Sequence, residues 1–267
     1  MVVLTLRFRM IRWQLFPWKM VFSVWKKIIR FAIPSSIGML MMPIGMFIMT
    51  QLTIKYGTTA VAACTAAGRL EGLAFVFPMS LGMAIVPMVA QNYGARKFER
   101  IDQCRRFAMR TAALILFIMT LGSILFAPQL ATLFEPPDDA GVKPIIIQYL
   151  RIVPWGFAFL EIHRYGGFFY TGCGKPSVSA MLNALRILVL LIPLSYGAYW
   201  IFGIGQIDKM FYARVMADAI AGTAALIAAR VLTKRLLREN DKSDAAPDEK
   251  GQASGELQGN TEAGAVS

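Results

Sequence analysis

The sequence predicts an all-α fold: a polytopic membrane bundle of six transmembrane helices. Three observations carry this. Of the 267 residues, 56% are hydrophobic and 16% charged, where a soluble domain carries about 25% charged residues. The mean hydropathy is +0.52. Apolar runs near the length that crosses a bilayer, about 20 residues as a helix, recur six times along the chain. This composition excludes a soluble enzyme. In such a chain the net charge of +12 reads as membrane topology rather than affinity for nucleic acid, because excess Lys and Arg mark cytoplasmic loops.

The elements follow in order. Residues 1–27 form a basic and aromatic stretch, with Trp13, Trp18 and Trp25 among Arg and Lys. Such a mixture suits the headgroup interface. It holds no short apolar core ahead of a small-residue cleavage site, so it does not read as a cleavable signal peptide. Residues 28–237 hold the six-helix lobe. Its spans are expected at about 28–54, 61–89, 107–126, 145–170, 178–200 and 211–232. Residues 238–267 are rich in Gly, Ala, Ser, Asp and Glu and lack aromatics. They cannot bury enough apolar surface to order, and a disordered tail is expected.

Loop charges set the orientation. Residues 1–30 carry Arg7, Arg9, Arg12, Lys19, Lys26, Lys27 and Arg30 and no acid. The second-to-third loop carries Arg96, Lys97, Arg100, Arg105 and Arg106, the fourth-to-fifth Lys175, and the last helix ends in Lys234, Arg235 and Arg238. The opposite connections hold Lys55, then Glu135, Asp138, Asp139 and Lys143, then Asp208 and Lys209. Both termini are therefore expected in the cytoplasm.

Several ionisable side chains fall inside the spans, among them Arg69, Glu71, Glu161, Arg164, Arg186, Arg214 and Asp218. Each costs on the order of 2.5–3.5 kcal/mol in lipid, so such groups face protein or water. Glu161 and Arg164 are three apart, and Arg214 and Asp218 four apart, so each pair can meet on its own helix. Arg69 and Glu71 are two apart and point away from each other. Arg186 has no local acid and should seek one on another helix, with Glu71 and Glu161 as the natural candidates. Glu71 and Glu161 divide evenly between packing and ion coupling, and Arg214 with Asp218 reads first as a structural pair. A coupling carboxylate must be buried yet reachable by water.

No catalytic or metal set is legible. Cys64, Cys104 and Cys173 are odd in number and form no CxxC pair, which supports neither a disulfide framework nor a zinc site. His163, the single His, reads as a hydrogen-bonding structural residue. The string Thr171-Gly172-Cys173-Gly174-Lys175 lacks phosphate-loop spacing and reads as a glycine-capped helix end before Pro176. Proline recurs within the spans at 34, 43, 78, 87, 154 and 193, each favouring a kink. The 16 Met supply soft, adaptable surface.

The run Pro87-Met-Val-Ala-Gln91-Asn92-Tyr93-Gly94-Ala95 before a basic loop resembles the signature closing the second helix of each lobe in the multidrug and toxic compound extrusion (MATE) family. Phe31-Ala-Ile-Pro34 resembles that family's entry to a lobe, Gly68-Arg69-Leu70-Glu71 its Arg-Ile-Glu element, and Gly172-Cys-Gly174-Lys175-Pro176 its short turn between the fourth and fifth helices. The resemblance covers about residues 25–237 and fits the C-terminal lobe of a two-lobe protein. It implies cation-coupled export, driven by sodium or protons, of drug-like, cationic or amphipathic compounds. It implies no cofactor and no enzyme activity. The implied location is the bacterial inner membrane, and the implied partner a second six-helix lobe or a second copy, with this chain a fragment or a half-size subunit. Glu71, Glu161, Arg164 and Arg69 are the candidates for ion coupling or substrate binding; Arg186, Asp218 and Arg214 for cavity lining or charge pairing. The resemblance is incomplete at Met42, where some sodium-coupled members carry an acid. An exporter of lipid-linked saccharides is the alternative that an arginine-lined cavity favours. A non-transporting membrane remnant is the other.

Overall fold

The computed structural model describes residues 17–134 and 141–245. Residues 1–16 of the interfacial stretch, the acidic loop residues Glu135, Asp138 and Asp139, and residues 246–267 of the tail lie outside the described residues. Among those described, six helices are long and apolar enough to cross a membrane. They are α1 (Trp18–Ile54), α2 (Thr58–Gly94), α3 (Phe98–Leu125), α4 (Val142–Gly172), α5 (Pro176–Phe202) and α6 (Ile207–Ala245). A short helix, Ala127–Thr132, follows α3.

The helices outrun the apolar stretches that announced them. Helix α1 starts at Trp18 instead of 28, because no Pro or Gly lies between Pro17 and the apolar run, and Lys19, Lys26, Lys27 and Arg30 are compatible with a helix. Helix α3 starts at Phe98, so Arg100, Cys104, Arg105 and Arg106 lie on a helix rather than in a loop. There Asp102 accepts from Arg105 and Arg106 at 2.6 and 3.1 Å, one and nearly one turn on. Helix α6 continues past 238 to Ala245, into the region expected to be disordered. Hydropathy marks the part in lipid; helix propensity carries the chain further.

Helix α4 is the hub. It packs against α2, α3, α5 and α6, and its apolar window is 56% buried against 6% for α1. Two clusters divide the core along the bundle. One gathers Leu52, Phe75, Leu116, Tyr149, Phe157 and Phe211. The other gathers Val89, Ile101, Tyr165, Phe169, Ala225 and Leu236. Along α4 and α6, Glu161, Arg164 and Asp218 fall between the two.

Interior prolines are accommodated by defined partners. At Pro154 the helix tightens into a 3₁₀ turn, Val153–Gly156, and the Thr120 hydroxyl donates to the Pro154 carbonyl at 2.8 Å. Before Pro193, α5 widens into a π-helical segment, Leu185–Leu191, which carries Arg186. Wide turns of this kind mark helix irregularities at functional positions. Tyrosines tie α4 to its neighbours: Tyr165 donates to the Pro78 carbonyl at 2.6 Å and Tyr170 to that of Ala228 at 2.8 Å. Exposed hydroxyls at Ser35, Thr50, Thr65, Ser80 and Thr223 donate back to the carbonyl four residues earlier, as low-dielectric surroundings require.

Helices α4 and α6 cross closely at Gly222. A Cβ at Gly222 would lie 2.4 Å from the Phe159 carbonyl oxygen, so only glycine admits that crossing. Helix α1 contacts α5 where Gly38 faces Ala180 and Gly45 faces Ile187.

Candidate functional site

A cavity of about 860 Å³ opens between α1, α2, α4, α5 and α6. Six methionines line it: Met42, Met46 and Met49 of α1, Met79 and Met83 of α2, and Met210 of α6. The charged residues on its lining are Arg69, Glu71, Arg164, Arg186 and Arg214. Five of the seven ionisable residues singled out in the sequence thus border one space. The other two, Glu161 and Asp218, sit directly behind it, at 0% and 2% exposure.

The pairing differs in part from the expectation. Arg164 donates to Glu161 at 2.8 Å, one turn away on α4. Arg214 and Asp218 come only within 4.0 Å of each other, and each has a closer partner on another helix. Arg214 binds Glu71 of α2 at 2.5 Å. Asp218 accepts from Arg186 of α5 at 2.8 and 2.7 Å. Arg186 therefore finds its interhelical acid in Asp218 and not in Glu71 or Glu161. The reason is topological: α5 lies against α6, and the widened turn at Leu185–Leu191 sets Arg186 on that contact. Arg69 is exposed at the cavity and has no ion pair among the described residues.

Tyr149 was not legible as a site residue. Its hydroxyl accepts from Arg214 at 2.6 Å and donates to Glu71, which makes a triad across α2, α4 and α6. A lone Tyr in the apolar run 145–150 gives no sequence signal for this. Stacking holds two guanidiniums further: Arg164 lies over the Phe75 ring at 4.7 Å and Arg214 over Tyr149 at 5.8 Å. One oxygen of Glu161, Oε1, is buried without a hydrogen-bond partner.

His163 is 2% exposed and pairs through Nε2 with Asn183 Oδ1 at 3.1 Å. It does not line the cavity, and its geometry is that of a helix-to-helix tie. Among the described residues no group of three metal-ligating side chains forms.

The signature residues act as a helix terminus. Pro87 lies within α2, and Gly94 is its last residue. Ala95 N–H donates to Gln91 and Lys97 N–H to the Asn92 carbonyl, at 3.0 and 2.9 Å. With Arg96 N–H on Tyr93, at 3.1 Å, this is a Schellman closure. The Asn92 amide folds back on Met88 at 2.8 Å. The end of α4 closes in the same way: Lys175 N–H reaches Tyr170 and Gly174 N–H reaches Thr171, at 2.9 and 3.0 Å. In that turn, burial pushes the Cys173 thiol up to about 11, with Lys175 pulling the other way. It is a poor nucleophile.

Comparison with known proteins agrees with this architecture. The MatE family model matches residues 34–197. A FAD transporter of Shewanella oneidensis is 25% identical over 180 residues, 67% of this chain and 39% of the relative. A probable multidrug resistance protein NorM of Acinetobacter baylyi is 26% identical over 234 residues, 83% of this chain and 49% of the relative. A MOP superfamily transporter from Pyrococcus furiosus, described as having a binding pocket of reverse polarity, superposes with a TM-score of 0.75 at 25% identity, over 80% of this chain and 48% of that one. The chain spans less than half the length of each. With the family model matched over more than half of the chain and six helices fit to cross a bilayer, this protein is a multi-pass membrane protein of the MATE family.

Proposed function

We propose that the chain is one lobe of a sodium- or proton-coupled antiporter that exports organic, drug-like compounds, completed by a second six-helix lobe or a second copy. The observation that carries this is the shared setting of the cavity and the buried carboxylates. A solute-sized space of about 860 Å³ lies within the 300–1,000 Å³ or so of ordinary ligand pockets. Directly behind its Arg164 wall sits Glu161, fully buried, with one oxygen unpartnered. A proton or sodium ion taken up there would compete for the carboxylate with Arg164, and so loosen a guanidinium on the cavity wall. Relatives named for multidrug resistance and for FAD transport support export through this fold. In this reading the membrane is the bacterial inner membrane, with both termini cytoplasmic, which the basic loops favour.

Export of lipid-linked or other anionic solutes is the second reading, favoured by the four arginines on the lining. Reconstitution into liposomes tests transport itself. The expected result is efflux of an organic dye driven by a sodium or pH gradient, with Glu161→Gln losing the gradient dependence at normal expression. Absence of gradient-driven flux, for the chain alone and with a companion lobe, overturns the transporter reading.

A further inference from the structure

We infer that the cavity recognises an amphipathic organic anion: a carboxylate, sulfonate or phosphate head on the arginines and an apolar body on the methionines. The inference rests on the cavity being the solute site.

In each of the three arginine ion pairs at the cavity the guanidinium is the more exposed partner. Arg164 is 17% exposed and its partner Glu161 0%. Arg186 is 11% exposed and Asp218 3%. Arg214 is 22% exposed and Glu71 15%. Glu161 and Asp218 lie behind the lining, and Glu71 shares it with Arg214. Arg69 adds a fourth cation on the lining, exposed and with no acid paired to it among the described residues. The lining therefore carries four arginines against one acid, Glu71.

The carboxylates behind offset the cost of holding guanidiniums in the bundle, which would be large for isolated charges. They do not exhaust the donors. A guanidinium has five N–H groups, and Arg164 spends one nitrogen on Glu161. Arg186 spends two nitrogens on Asp218, and all three of Arg214 meet Glu71, Tyr149 or Asp218. The donors left for a planar oxyanion, which takes them in pairs, are therefore those of Arg69, Arg164 and Arg186.

A cationic ligand has poor purchase here. The aromatic rings on the lining are Phe75, Tyr149 and Phe211. Phe75 and Tyr149 already carry the protein's own cations, Arg164 and Arg214. Phe211 packs edge-on against Tyr149, centroids 5.1 Å apart. The family-derived expectation of a cationic substrate thus meets a wall whose exposed charge is of the same sign. The body of the ligand finds a thioether surface that adapts to irregular shapes.

Two xanthene dyes of opposite charge test this: carboxyfluorescein, an anion, and rhodamine 6G, a cation. Equilibrium binding to the purified chain in maltoside micelles is read by fluorescence anisotropy. Carboxyfluorescein should bind at least tenfold more tightly than rhodamine 6G. Arg69→Glu, at an exposed site with no ion pair to lose, should cost tenfold in that affinity. The doubly neutral Glu161→Gln/Arg164→Gln should lower it severalfold. Phenyl phosphate and lysophosphatidic acid as competitors separate a soluble head from a lipid one, and displacement by either supports the inference. Tighter binding of rhodamine 6G, no binding of either dye, or affinities within twofold of the parent in both variants overturns it. Anion binding without gradient-driven flux would sink the transporter proposal alone. Dye flux without anion preference would sink this inference alone.

Discussion

Arg214 on α6 crosses the bundle to bind Glu71 on α2 at 2.5 Å, passing over its own helix neighbour Asp218 at 4.0 Å. Tyr149 bridges the pair from α4. Three helices are thus pinned at one polar point beside the cavity. Removing one charge strands the other in low dielectric. A double-mutant cycle with Glu71→Gln and Arg214→Gln should give each single variant a marked loss of thermal stability in detergent. The double variant should recover part of it, with a coupling of about 1–3 kcal/mol. Additive losses would show that the pair does not act as a unit.

Crossing geometry at Gly222 makes a second prediction. A methyl group there meets the Phe159 carbonyl at 2.4 Å, backbone that cannot rotate away. Gly222→Ala should destabilise the α4–α6 contact by about 1–3 kcal/mol, the range for overpacking. Gly197→Ala, where a Cβ meets nothing within 4 Å, should be neutral or mildly stabilising. Equal melting temperatures for the two variants would contradict the crossing described above.

The two matched helix closures differ at their left-handed position. At the left-handed position α4 has Gly174, φ 72°, and α2 has Arg96, φ 55°. A side chain there costs roughly 1–2 kcal/mol. Arg96→Gly should therefore raise stability by about 1 kcal/mol, and Gly174→Arg should lower it by a similar amount. Thermal melts of the two variants, expected to shift in opposite directions, check this.

The sequence made the six spans legible because lipid imposes a composition that only long apolar runs meet. It missed their ends, as at Trp18 and Phe98, since charged residues beyond the lipid remain good helix formers. Spacing found the Glu161–Arg164 contact, which lies within one helix. It foresaw an interhelical acid for Arg186 but named Glu71 or Glu161, and it gave Arg214 only its 4.0 Å contact with Asp218, because periodicity fixes the face of a side chain but not which neighbour that face meets. Asp218 illustrates this: it lies one turn from Arg214, and the packing of α5 on α6 gives it to Arg186. Tyr149 had no sequence signal at all. Its role depends on three helices meeting, which no local pattern encodes.

The central physical claim is a water-accessible cavity of positive potential, and Cys64 on its lining reports on both properties. With Cys104 and Cys173 changed to Ser, the modification rate of Cys64 can be compared for anionic and cationic methanethiosulfonate reagents, each normalised to free cysteine. Cys64 should react, the anionic reagent should be favoured at least threefold, and Arg69→Glu should abolish the preference. A Cys64 sealed from both reagents, or one that favours the cation, would contradict it.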